Sequence, residues 1–197
     1  MEMLPLAFTS GWASGINVWA TVLLLGLMGR FAGVEGVPPG FERTDVLIVM
    51  AVLAIAELVA DKIPYVDSAW DVVSTFIRPV GGALIGALIA GQTGDLGSLS
   101  LAAVGGVTAL LSHLAKASVR LAVNTSPEPV TNLTASAAGD LSLIGVLSLA
   151  ALYPVAAATI AGILLVLTIA IALFLINRVV KGWRRFQAWR IARRATA

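Results

Sequence analysis

Three short runs of polar and charged residues lie inside apolar stretches of this 197-residue chain. Glu57 and Asp61 are four residues apart and fall on one face of a helix. Asp67, Asp71, Ser74 and Arg78 follow spacings of four, three and four, again a single helical face. His113, Lys116, Arg120 and Asn124 form a third stripe. Together they carry four carboxylates and three cations, enough to neutralise one another largely if the three faces meet. Two chemistries fit. In the first, the stripes wall a polar cavity: Arg78, Lys116 and Arg120, with Asn17 as a further polar contact, hold an anionic or phosphate-bearing substrate. Glu57 or Asp61 then carries a coupling proton or cation, with Asp67, Asp71 and His113 in the same ion-pairing set. In the second, the stripes are structural ion pairs, such as Arg78 with Asp71 or Asp67 along their own helix. Asp67-x-x-x-Asp71 also has a spacing able to hold Mg²⁺ and a phosphate. His113 is the only histidine, has no partner at metal-ligand spacing on its helix, and there are no cysteines. Neither a metal site nor a cofactor is expected.

What must position these residues follows from composition. Apolar residues make up 58% of the chain and charged ones 12%, about half the charged share of a soluble domain. So few charges cannot cover a soluble surface of this size, so the solvent is lipid. The apolar runs are continuous rather than alternating, which selects helices over a membrane barrel. The fold class expected is all-α, a polytopic membrane helix bundle.

About twenty apolar residues cross a bilayer. The first span runs from about Leu6 to Phe31, the second from about Asp45 to Asp61 and the third within Tyr65 to Gly91. Arg78-Pro79-Val80-Gly81-Gly82 predicts a break in the third, with amides freed after Gly81 to hold an anion. The fourth spans about Leu99 to Val123, and Asn124 to Asp140 is polar. Leu141 to Ile176 is too long for one untilted span and divides at Tyr153-Pro154. Six spans result, or five if the fifth is re-entrant. Residues 1–177 then form the membrane domain, with halves of about 1–93 and 94–177 that can be related as inverted three-span units. Gly11-x-x-x-Gly15, Gly82-x-x-x-Gly86 and Ala102-x-x-x-Gly106 allow close helix contact, within one chain or between copies in a homo-oligomer. Asn124-Thr125-Ser126 and Asn132-Leu133-Thr134 match a glycosylation pattern that is frequent by chance.

Charge is distributed unevenly. The first 177 residues hold six basic and eleven acidic residues, whereas 178–197 hold seven basic and no acidic ones. Such a tail, interleaved with Val179, Trp183, Phe186 and Trp189, suits anionic headgroups better than nucleic acid, and it places the C-terminus in the cytoplasm.

Several segments resemble one family. Ser14-Gly15-Ile16-Asn17-Val18-Trp19, the run Ala60-Asp61-Lys62-Ile63-Pro64-Tyr65-Val66-Asp67-Ser68-Ala69-Trp70-Asp71, Arg78-Pro79, Lys116-x-x-x-Arg120 and Asn124-Thr125-Ser126-Pro127 are similar to domain-of-unknown-function family 4126. The resemblance covers about Phe8 to Ile176, with Asp-Lys-Ile-Pro its most specific part and the basic tail outside it. It implies a multi-pass protein of the bacterial inner membrane and no particular activity. Three functions therefore stand as expectations: a small transporter of an anionic substrate, an enzyme acting on lipid phosphates through Asp67 and Asp71, and a non-catalytic oligomeric scaffold. A polar cavity favours the first, a bound divalent metal the second, and a dry, fully paired interior the third.

Overall fold

A computed structural model describes residues 3–63, 66–91, 95–124 and 129–195; within these, the side chains of 67, 68, 124, 129, 130, 132, 189 and 192–195 lie outside the described set. Among the described residues the chain is all-helical. It runs α1 (Met3–Ile16), α2 (Val18–Ala32), a 3₁₀ turn (Pro39–Glu42), α3 (Thr44–Ala60), α4 (Val66–Ala90), α5 (Asp95–Asn124), α6 (Pro129–Ala150) and α7 (Pro154–Ala195). Four of these contain stretches long and apolar enough to cross a membrane: 69–90, 95–123, 133–150 and 154–188. With α1–α2 and α3 as the first two crossings, the bundle is compatible with six spans.

The exterior is what lipid requires. Ile48, Val52, Ile55 and Val59 of α3, like Val155, Ile163, Val166 and Leu173 of α7, face outward. The interior is the more polar side. From Thr9 to Ile16 every residue of α1 is buried, because its Ser, Ala and Gly side chains let α4, α5, α6 and α7 all pack against it. Small residues bring the backbones together. A Cβ on Gly15 would strike the Ala109 carbonyl and Ser112, one on Gly82 the Gly105 carbonyl, and one on Gly86 the Leu101 carbonyl. The first two glycine pairs of the sequence thus work inside the chain, and Gly105 joins them as a contact on α5 that the Ala102/Gly106 spacing did not single out.

Three expectations change. The segment expected as the first span is two helices, interrupted at Asn17, whose backbone is extended (φ −158°, ψ 107°). The third is not broken: α4 runs through Arg78 and Pro79 without a gap. Proline's φ is itself helical, and its lost hydrogen bond is tolerated where neighbours pack closely; here Gly81 lies against Val18 and Gly82 against Gly105. No amides are freed after Gly81, so that anion cradle does not exist. Finally, much of the polar segment 124–140 is not loop. Helix α6 begins at Pro129 and has 22 residues, long enough for a full crossing. The division expected at Tyr153-Pro154 is where α7 starts, with Pro154 at the first helical position and the Tyr153 carbonyl accepting from Ala157 N–H at 2.9 Å.

A buried charge network beside a cavity

The inward face of α3 presents Glu57, and Asp61 caps its C-terminal end; each is 1% exposed. Helix α4 brings Asp71, Thr75 and Arg78, and α5 brings His113, Lys116 and Arg120. These are the three stripes of the sequence, and they converge on the break in the first span. The side chains of Asp67 and Asn124 lie outside the described residues.

Arg78 is the hub, 1% exposed. Its Nη2 donates to Glu57 Oε1 at 2.5 Å and lies 3.8 Å from Asp71 Oδ1. Its Nη1 donates to the Gly15 carbonyl at 3.0 Å and lies 2.6 Å from His113 Nδ1. A guanidinium has no lone pair to offer, so His113 Nδ1 is the acceptor and the ring proton sits on Nε2. That nitrogen is 2.9 Å from Thr75 Oγ1, whose hydroxyl donates to the Asp71 carbonyl at 2.8 Å. His113 is therefore a linker between α4 and α5.

The second centre is Asp61. Arg120 Nη1 donates to Oδ1 at 3.0 Å, and Nη2 lies 2.7 Å from Oδ2 as an ion-pair contact. Lys116 Nζ reaches Oδ2 at 2.7 Å and also donates to the Ile16 carbonyl at 2.8 Å. Arg120 Nη1 lies 3.5 Å from Asp71 Oδ2, which joins the two centres. Three carboxylates thus meet three cations. A peripheral pair, Lys62 with Asp140 at 3.4 Å, ties the end of α3 to α6.

The broken helix explains two of these contacts. At its C-terminus α1 leaves carbonyls without helical donors and carries the negative end of the helix dipole. Arg78 and Lys116 take the Gly15 and Ile16 carbonyls. On the other side of the break, Asn17 Oδ1 accepts from Ala20 N–H at 2.9 Å and starts α2 as its N-cap. Non-helical backbone at membrane depth persists only where protein or water satisfies it; here two cations and one amide do so. Asn17 is 3% exposed, and its observed role is the cap.

A cavity of about 300 Å³ adjoins the network between α1, α5, α6 and α7. Lys116 and Arg120 line it, as do Trp12, Ile16, Gly139, Leu164 and Leu165. Among the described residues no carboxylate lines it, and neither does Arg78. Of the residues expected to hold an anion, two reach the cavity and two are committed to backbone and ion-pair contacts. Sequence reasoning missed Thr75, although it shares the face of Asp71 and Arg78. It also missed the carbonyls of Gly15 and Ile16, which no side-chain pattern announces.

Among the described residues no group of three His, Cys, Asp or Glu is placed to hold a metal ion. Asp71 in particular faces two guanidiniums, which repel a divalent cation.

Residues 4–173 match the family described as Domain of unknown function (DUF4126), and the chain belongs to that family. No curated protein and no solved structure matches the chain.

Proposed function

We propose that this DUF4126 protein is a small membrane carrier whose substrate is an anion bound at Lys116 and Arg120. The observation that carries the reading is the one-sided cavity: Lys116 and Arg120 are among the residues that line it, while the carboxylate that holds them, Asp61, is not. Lys116 is also braced by the Ile16 carbonyl at a helix interruption, the arrangement by which transporters build binding sites near mid-membrane. Arg78 acts as a positioning residue, holding Glu57, His113 and the end of α1 in place. Glu57 and Asp61 are the carboxylates through which a proton or cation would couple.

The test is electrogenic flux. The purified protein is reconstituted into liposomes on a solid support, and currents are recorded on addition of inorganic phosphate, acetate and alkyl phosphates. Anion-dependent current, or an anion-dependent change of lumenal pH followed with a trapped dye, that disappears in Lys116→Gln supports the carrier; neither signal with any of these anions removes it.

A second reading, the non-catalytic scaffold, draws on the charge balance of the network, since three carboxylates against three cations need no ligand to neutralise them. The glycine faces that would serve a homo-oligomer are already occupied between helices of one chain. An enzyme of lipid phosphates has less support, because the Asp71 environment is cationic.

In the membrane we place the C-terminus in the cytoplasm of a bacterial cell, with the basic tail on anionic headgroups. Residues 178–195 continue α7 without interruption and expose Val179, Val180, Trp183 and Phe186 beside the cations. Gly94→Cys and Thr196→Cys, probed with an impermeant thiol reagent in intact cells, report the orientation: labelling at 94 but not 196 is expected, and the reverse overturns it.

A further inference from the structure

The walls of the cavity specify more than an anion. Apart from Lys116 and Arg120 the lining is apolar or small. Its hydroxyls on α6 and α7 are turned to their own helices: Ser142 Oγ donates to the Gly139 carbonyl at 2.8 Å and Thr168 Oγ1 to the Leu164 carbonyl at 2.7 Å. A small hydrated anion there would exchange its water for hydrocarbon on most sides, which is costly. About 300 Å³ lies at the lower end of small-molecule sites. It has room for on the order of ten groups the size of a water or a methylene. The charge is graded as well. Asp61, Lys116 and Arg120 together leave one positive charge beside the cavity, while Glu57, Asp71 and Arg78 leave one negative charge away from it.

Resting on the carrier reading above, we infer that the occupant is a single-chain amphiphile with one anionic head, a phosphate monoester or carboxylate. The head sits at Lys116 and Arg120, and the chain runs between α6 and α7 against Leu164 and Leu165. Guanidinium and ammonium serve either head, the former by paired donors and the latter as a point charge. Burial of the chain supplies affinity in proportion to its length.

The test is equilibrium binding, separate from flux. Thermal unfolding of the full chain in a neutral maltoside detergent is followed with dodecyl phosphate, dodecanoate, dodecanol, dodecyltrimethylammonium and inorganic phosphate. The two chain-bearing anions are expected to raise the Tm by about 5 °C when near-saturating, and the other three by less than a third of that. Gly139→Leu fills the cavity without touching its charges; a Cβ at Gly139 meets only the Ile16 side chain at 3.7 Å. It should abolish the shift and leave the ligand-free Tm unchanged. If that variant does not fold, Ala135→Leu fills the same space.

Equal stabilisation by dodecanol or by the cationic surfactant overturns the inference, as does a shift that survives cavity filling. Stabilisation by inorganic phosphate as great as by dodecyl phosphate overturns the chain-bearing class and leaves the carrier reading intact. Binding without flux overturns the carrier and leaves the ligand class standing.

Discussion

Two helices in this molecule pass the same buried network, and the one with the helix-breaking sequence is the one that stays whole. Helix α4 holds Arg78-Pro79-Val80-Gly81-Gly82 at its middle and is continuous. The first span reads Ser14-Gly15-Ile16-Asn17-Val18, with no proline, and is interrupted. The difference lies in what each segment meets. The glycines of α4 are pressed against Val18 and Gly105, so an unwound turn there would lose close packing. The carbonyls of Gly15 and Ile16 meet Arg78 and Lys116, and the amide of Ala20 meets Asn17. A helix opens where its freed groups have better partners elsewhere, and local propensity alone does not say where that is.

The comparison fails most visibly if Arg78 is dispensable. Arg78→Leu removes the partner of Glu57 and the donor to Gly15 together. An uncompensated buried charge of this kind costs about 3–5 kcal/mol, so thermal unfolding in detergent should fall steeply. Adding Glu57→Gln should recover part of the loss, because the stranded carboxylate is gone; additive effects would show that the pair contributes independently.

Lys116→Met should cost less, about 1–3 kcal/mol. The ammonium's bonds to Asp61 and to the Ile16 carbonyl are lost, but Asp61 keeps both contacts from Arg120. The same thermal measurement decides it, and a loss as large as that of Arg78→Leu would shift the hub to Asp61.

Asn17→Ala removes a cap and is expected to cost about 1 kcal/mol, with Asn17→Ser nearer to neutral. Amide hydrogen exchange at Ala20 should quicken in the alanine variant. Unchanged exchange would mean that the cap is not what starts α2.

The smallest effect belongs to Pro79→Ala. The ring donates nothing and the helix is already continuous, so stability should change by less than in Asn17→Ala. A large loss there would show that the proline does shape α4.

Much of this was legible in residues. Glu57 with Asp61, Asp71 with Arg78, and His113 with Lys116 and Arg120 were fixed to common faces by helical spacing, and their cost in lipid predicted that those faces would turn inward. The direct pairings were harder: Arg78 meets Glu57 of α3 and not only Asp71 of its own helix, a matter of how helices sit side by side. Pro79 misled because a proline marks a break only where packing leaves room. The start of α6 was hidden because residues 129–140 are too polar to announce a span, yet Ala135 and Gly139 face the cavity. The cavity itself has no sequence signature; it is the space left between α1, α5, α6 and α7.

The balance of three carboxylates against three cations also bears on the membrane potential. Moving one elementary charge through 100 mV takes about 2.3 kcal/mol. A block of six paired ions has no net charge, so tilting it with the helices that carry it draws almost nothing from the field. On the carrier reading, a monoanion docked beside Lys116 would leave the block no longer neutral, and the same motion would do electrical work. Voltage would then act on the loaded protein and leave the empty one nearly indifferent, so the return of the unloaded site would run at a rate the potential scarcely touches.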